Sequence, residues 1–284
     1  MFTSVIIPAF NDPRIQIALE ALLKQTCPKD QYEIIIADNG STDDTRSIIE
    51  SYCNNYPDHI LIVHEKKIQS SYAARNKALH FARGNYIAFT DSDCIPDKDW
   101  VKNGISALIQ EGANCGGGRI DFFFKSNQPN IYEYLDSARK LDQKSYILST
   151  GFAATANFFI KRDLFEKYGE FRHDLISGGD YEFGRRLTNA GEKIIYIPNA
   201  VVRHPARNSF KQIFKKTVRV AKGQNELASF GLLDHEKITW RNWLPKLRYP
   251  IDHQWSRTHS LIEKVQLTIL VSLFRYINLW ERIR

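Results

Sequence analysis

Short, continuously apolar runs alternate along the first hundred residues with segments in which apolar side chains recur every three or four positions. Ser4-Val5-Ile6-Ile7-Pro8 has the character of a strand buried on both faces and closed by its proline. Over residues 13–25, Ile15, Ala18, Leu19, Leu22 and Leu23 fall at helical spacing, with Asp12 in the N-cap position and Pro13 at the first helical one. Tyr32-Glu33-Ile34-Ile35-Ile36-Ala37 predicts a second buried strand. The polar stretch after it, residues 38–45, opens a helix reaching about Tyr52, with Ser41 or Thr42 as its cap. A third strand at 60–63, a helix at 71–82 stopped by Arg83-Gly84, and a fourth strand at 86–90 complete a βαβαβαβ order. That order implies an α/β fold, a mostly parallel sheet with right-handed crossovers and helices on both faces.

The fourth strand delivers two carboxylates, Asp91 and Asp93, just before Pro96, which cannot extend a ladder. In an open α/β sheet ligands bind at the carboxyl ends of strands, and two aspartates at i and i+2 can hold a hard divalent cation whose shell phosphate oxygens complete. Asp-Ser-Asp is also an ordinary turn sequence, so the pair alone leaves both readings open. Asp38 ends its strand as an acid that accepts hydrogen bonds from a base or ribose hydroxyls would. Arg75, on the helix before the acidic strand, either meets a diphosphate or base or is merely solvated. Neither Gly-x-Gly-x-x-Gly nor a P-loop is present, and Gly116-Gly117-Gly118 lies out of frame for one, so phosphates would fall to the metal.

Composition narrows the class. With 43% hydrophobic residues in 284, the chain can bury a sizeable core. The net charge of +7 is uneven: from Val201 onward 16 Lys and Arg stand against 6 Asp and Glu, a balance of +10 that leaves −3 for the first 200 residues. An anionic partner for the C-terminal part follows, although any single lysine can be simply solvated. Nucleic acid is not the expected partner, because no reading motif accompanies the charge. Cys27, Cys53, Cys94 and Cys115 are widely spaced, show no metal-ligand pairing, and read as free thiols of a reducing compartment. Met1-Phe2-Thr3-Ser4 runs into a strand without a signal-like core, and no apolar stretch approaches the ~20 residues that span a bilayer. A cytoplasmic protein, soluble or peripheral to a membrane, is expected.

Four stretches in order, Ser4-Val5-Ile6-Ile7-Pro8-Ala9-Phe10-Asn11, Ile36-Ala37-Asp38-Asn39-Gly40-Ser41-Thr42-Asp43, Ala74-Arg75-Asn76-Lys77-Ala78-Leu79 and Phe89-Thr90-Asp91-Ser92-Asp93, resemble family 2 glycosyltransferases of the GT-A fold. The likeness covers about residues 3–205. It implies a nucleotide-sugar half (1–97) and an acceptor and catalytic half (98–205), and leaves 206–284 as a separate helical, basic C-terminal extension to be read on its own. It also implies Mn²⁺ or Mg²⁺ on the Asp-x-Asp motif, with Asp93 reaching the metal and Asp91 the ribose. Pro8, Ala9 and Asp38 would border the nucleoside, Asp38 contacting the base with Arg75 near it.

In the second half, 149–162 resembles the family's glycine-led strand below the acceptor site, and Ser177-Gly178-Gly179-Asp180 opens a helix that Gly191 ends. By the resemblance Asp180 is the general base that deprotonates an acceptor hydroxyl in an inverting transfer. Read locally it is a helix-capping residue. Gly179 stands where many relatives carry Glu, and Tyr168-Gly169-Glu170-Phe171-Arg172 replaces the commoner Gly-Gly-Phe-Asp-Glu, which leaves the acceptor open. Residues 193–205 read as two short strands around a turn ending on His204, a candidate third metal ligand or a structural histidine.

Beyond Pro205, Phe210, Ile213, Phe214, Val218 and Ala221 take one helix face, with Lys211, Lys215, Lys216, Arg219 and Lys222 on the others. Three roles are open to this basic helix: covering the site, lending a cation to a diphosphate, or lying on an anionic membrane. The apolar stretch 265–274, with Tyr276 and Trp280 and with Trp240, Trp243, Trp255, Lys246, Arg248 and Arg257, fits a monotopic membrane contact, a core helix or a homodimer face. The expected reaction moves a sugar from a nucleotide-sugar donor, a UDP-sugar first among candidates, to a hydroxyl of a glycan or lipid-linked acceptor. The alternatives are a nucleotidyltransferase, which lacks its expected phosphate loop here, and a non-catalytic nucleotide-sugar-binding protein.

Overall fold

The computed structural model describes residues 1–138, 141–233, 238–244 and 260–284, with 240 and 241 described by their backbone alone. The chain forms two compact units. The first comprises Met1–Asp121, Asp142–Asp174 and Gly179–His204, the second Phe122–Leu141, Leu175–Gly178 and Pro205–Arg284. The second unit therefore takes in two stretches that precede residue 205.

An eight-stranded sheet organises the first unit, in the order β3-β2-β1-β4-β7-β6-β8-β5. β1 (Thr3–Ala9), β2 (Tyr32–Asp38), β3 (Ile60–His64) and β4 (Tyr86–Thr90) run parallel, as their buried apolar runs predict. β7 (Asn157–Lys161) pairs antiparallel with β4 and with β6 (Cys115–Phe123), and the two-residue β5 (Ile95–Pro96) pairs antiparallel with β8 (Ile194–Pro205). The crossovers are α1 (Ile15–Leu23), α2 (Thr45–Asn55) and α3 (Ser71–Leu79), followed by α4 (Trp100–Gln110). Ile15, Ala18, Leu19 and Leu22 of α1 are all fully buried.

Three local expectations change. α1 starts two residues later than its proline suggests, with Arg14 at the N-cap and no side-chain cap. The Asp12 carboxylate accepts instead from Arg14 Nε (2.7 Å) and Ser92 Oγ (3.2 Å). α2 has Asp44 at its N-cap, because Ser41 and Thr42 bond Asn11: Asn11 N donates to Ser41 Oγ and Thr42 N to Asn11 Oδ1. Residues 194–205 form one strand, not two around a turn. The exposed Pro198-Asn199 step is carried within it, where Asn103 donates to the Asn199 carbonyl at 2.7 Å.

The join between the sheet's two halves depends on Asn157, fully buried at the start of β7. Its Oδ1 accepts from the Trp100 indole (2.8 Å), its Nδ2 donates to the carbonyls of Arg119 and Ala200, and its own carbonyl accepts from Gln143. The glycine run serves this packing: a Cβ on Gly118 would lie 2.3 Å from the Ala200 carbonyl oxygen and 2.4 Å from Asn157 Nδ2.

α5 (Ile131–Ala138), α9 (Phe210–Ser229) and α10 (Leu261–Ile283) build the second unit around Leu135, Ile213, Leu267 and Phe274. In chain order the short helix α6 (Gln143–Ser145), α7 (Asp163–Tyr168) and α8 (Gly179–Asn189) belong to the first unit. α9 is the expected basic helix, but not all its cations are free. Lys216 Nζ and Arg207 Nη1 both bond the buried Asp136 carboxylate, at 2.9 and 3.0 Å, and Arg219 donates to Ser177 Oγ. Trp255, Lys246, Arg248, Arg257 and the Trp240 side chain lie outside the described residues.

Replacing Asn157 by the similarly shaped Leu strands three partners, the Trp100 indole and the carbonyls of Arg119 and Ala200, each worth about 1–3 kcal/mol when left unmet. Urea denaturation should show a loss of about 3 kcal/mol or more. A loss below about 1 kcal/mol would contradict the role given to Asn157.

Candidate functional site

β4 ends at Thr90, and the next four residues turn out of the sheet before β5 pairs with β8. In that pairing Ile95 lies opposite Arg203, so the antiparallel register carries His204 to the level of Cys94. Residues about 110 apart in sequence thereby share one site. Carboxylate oxygens of Asp91 and Asp93, the Cys94 sulfur and an imidazole nitrogen of His204 all lie within 4.8 Å of one another.

Two arginines attend the carboxylates. Arg75, only 3% exposed, donates from Nη2 to Asp91 Oδ1 at 2.5 Å, while Arg14 Nη2 stands 3.3 Å from Asp93. Burial pushes the Asp93 carboxyl above the usual range; Asp91 and Asp12 add to the rise, and His204 and Arg14 oppose it. The Cys94 thiol is pushed up strongly, first by complete burial and then by Asp93 and Asp91. Its S–H points to Asp93 Oδ1 at 3.8 Å. Two carboxylates and an imidazole so close together fit a divalent cation, for which both are ordinary ligands. Buried Arg75 also leaves its Nε without a hydrogen-bond partner. The four cysteines are free thiols, as their spacing suggested, but Cys94 lies inside the cluster.

The nucleoside-side residues are held by the parallel register. Ala9 lies opposite Asp38 across β1 and β2, and Asn39 N donates to the Ala9 carbonyl at 2.9 Å. Asp38 is 2% exposed, accepts from Ser41 N (3.0 Å) and stands 3.4 Å from His64 Nδ1. Asn39 fixes the loop: its Nδ2 donates to the carbonyls of Glu65 and Ile68, and its Oδ1 accepts from Ser70 N. Pro8 precedes Ala9, half-buried. From Ala9 the chain continues through Asp12 and Arg14 to Asp93, so Pro8, Ala9 and Asp38 connect with the acidic cluster.

Asp180 belongs to another wall, in the first turn of α8, where its Oδ1 accepts from Tyr181 N at 3.0 Å. One ring links that wall to the cluster. Tyr72 packs against Gly179, where a Cβ would lie 2.8 Å from the ring, and the Arg75 guanidinium lies 5.8 Å from the Tyr72 centroid. Glycine at 179 is thus required by Tyr72. Beside Asp180, Tyr146 stacks on Phe152 at 4.8 Å and Phe152 meets Tyr181 edge-on at 5.4 Å. Tyr146 begins a π-helical turn, Tyr146–Thr150, closed by Gly151 in the left-handed region at φ 70°. Burial, then the charge of Asp180, raises the Tyr146 hydroxyl pKa. Sequence reasoning passed over Tyr146, Phe152 and Tyr181; only their aromatic character near Asp180 pointed to them.

Residues 4–169 match the family model described as Glycosyl transferase family 2. The chain is 38% identical over 270 residues, 93% of its own length and 88% of the relative's, to a protein named glycosyltransferase AglE from Haloferax volcanii. That match runs through most of the C-terminal unit as well. In fold the chain resembles the mannosyltransferase PcManGT from Pyrobaculum calidifontis, solved in complex with GDP-Man and Mn²⁺, with a TM-score of 0.65 at 18% identity over 99% of this chain and 86% of that one. It also resembles S. aureus TarS 1–349 in complex with UDP-GlcNAc, with a TM-score of 0.58 at 18% identity over 99% and 89%.

Iodoacetamide at about pH 8 should reach the partly exposed Cys27 and Cys53 first, and Cys94 and Cys115 only after unfolding, because only a thiolate reacts. Peptide mass spectrometry reads the order. Alkylation of Cys94 in the folded protein at the unfolded rate would contradict its placement.

Proposed function

The chain belongs to glycosyltransferase family 2, and on that premise we propose an inverting sugar transfer from a UDP-sugar to a hydroxyl of a glycan or lipid-linked glycan, in cell-envelope or polysaccharide assembly. The observation that carries the reading is the convergence of Asp91, Asp93 and His204 beside the buried Arg75. Pro8, Ala9 and Asp38 border the nucleoside, with Asp38 taking hydrogen bonds from the base and Arg75 near the diphosphate. Asp91, itself in the cluster, reaches the ribose, and Asp93 and His204 would hold Mn²⁺ or Mg²⁺. When bound, the cation offsets charge on the departing diphosphate.

Asp180 takes the proton from the acceptor hydroxyl as its oxygen bonds the anomeric carbon. The carbon–oxygen bond to the β-phosphate breaks on the opposite face, and the nucleoside diphosphate leaves with the electron pair. Arg75, desolvated and tied to Asp91, stands ready with an unpartnered N–H. Tyr146, Phe152 and Tyr181 offer ring faces on which an acceptor sugar can lie beside the base. Solved neighbours carry GDP-Man and UDP-GlcNAc, so the choice of base is put to experiment.

Thermal unfolding with UDP, GDP and dTDP, each with Mn²⁺ and with EDTA, tests the donor. A ligand at 100 times its Kd adds about 2.7 kcal/mol of stability. UDP with Mn²⁺ should stabilise the wild type, and the shift should vanish in EDTA and in Asp93→Ala. Asp180→Asn should keep that shift while release of UDP from a UDP-sugar, with water or a membrane glycolipid extract as acceptor, falls about 100-fold or more. A shift with GDP alone would replace the donor; full activity in Asp180→Asn would remove the base.

A further inference from the structure

The C-terminal helix α10 has two apolar faces where a surface helix has one. Ser260 starts it with a capping box: Ser260 Oγ accepts from Glu263 N, and Glu263 Oε2 accepts from Ser260 N at 2.8 Å. Leu267, Phe274 and Leu279 are its buried positions, and Leu267 and Phe274 pack with Leu135 and Ile213. Away from that core Ile262, Val265, Ile269, Leu273, Trp280 and Ile283 recur at steps of three, four and seven residues and so share one stripe. They are exposed by 70, 51, 60, 39, 57 and 54%.

The stripe is widened beside Tyr276, whose ring stacks on Trp243 at 5.9 Å, next to the half-exposed Leu244. Arg275 holds that neighbouring segment by donating to the carbonyls of Leu244 and Asn242. A helix of 23 residues is about 34 Å long, and scattered single apolar residues are normal on a surface whereas a continuous apolar stripe of that length is not. Among the described residues no helix is long and apolar enough to cross a membrane.

The geometry points to a bilayer surface bearing anionic lipid as the occupant of this stripe, with α10 lying in the interface plane. Charge selects that occupant. Exposed Lys211, Lys215 and Lys222 line α9 of the same unit. From Val201 onward the chain carries 16 Lys and Arg against 6 Asp and Glu. A second copy of this chain would bring an equal positive charge against it, whereas anionic headgroups neutralise it. Trp243, Tyr276 and Trp280 supply the amphipathic rings that settle at headgroup level. The stripe is separate from the transfer chemistry, so binding is read without turnover.

Flotation of the full chain with vesicles tests this. It should rise with an equimolar mixture of phosphatidylcholine and phosphatidylglycerol, and at least about tenfold less with phosphatidylcholine alone. Ile269→Asp with Leu273→Asp, both on the exposed face, should cut flotation about tenfold or more while circular dichroism and the nucleotide-dependent thermal shift stay as in wild type. Arg284→Ala, at the end of the helix, should float as wild type. Failure of the wild type to float with the anionic mixture, undiminished flotation of the double variant, or a dimer dissolved by the double variant without vesicle binding would each overturn the assignment. Absence of a nucleotide shift with flotation intact would overturn the donor reading alone.

Discussion

Crowding of negative charge at the end of β4 is the constraint around which the first unit is built. Asp91, Asp93 and Asp12 converge there, and burial raises the Asp93 carboxyl above its ordinary range. Carboxylates so placed are tolerable only with positive charge beside them. Arg75 supplies some from α3, Arg14 some from the loop before α1, and His204 arrives at the end of β8. Each comes from a different part of the chain, so the acidic pair is the point at which the sheet's parallel and antiparallel halves must agree.

The agreement is mechanical as well as electrostatic. Asn157 ties β7, β6 and β8 together, and the glycines at 116–118 let those strands approach. Tyr72 joins the acidic cluster to the start of α8, which is why Gly179 has no side chain. A site assembled from strand ends in this way keeps its donors on rigid elements, with Asp38, Asp91, Asp93 and His204 each within two or three residues of a strand. The π-helical turn at Tyr146–Thr150 is the irregular element, and it sits beside Asp180.

Much of this was legible in the sequence, and the remainder was not for definite reasons. β1, β2 and β4 are buried on both faces, so each shows as a largely apolar run, whereas Pro96, expected to lie off the ladder, pairs opposite Val202 in β5. Asp12 misled because an aspartate before a proline carries the local signal of a cap, while its actual partners are Arg14 and Ser92, the latter 80 residues away. Pro198-Asn199 suggested a turn, since a short polar step cannot be told from an exposed stretch of strand without its pairing partner. Cys94 became a neighbour of His204 only through the β5–β8 register, which no local pattern encodes. The C-terminal helix was underestimated as ten apolar residues because its outer stripe is periodic, continuing on both sides of that run among polar neighbours.

The central claim is that the acids after β4 and the histidine ending β8 form one divalent-cation site used together with a nucleoside diphosphate. Electron paramagnetic resonance of Mn²⁺ tests it most directly, since binding removes the free-ion signal and needs neither acceptor nor turnover. With UDP present, wild type should remove one equivalent of Mn²⁺, and His204→Ala should bind about tenfold or more weakly, the change typical of lost metal support. Equal Mn²⁺ binding by wild type and His204→Ala would contradict the account, and would leave the two strand ends as neighbours without a shared ion.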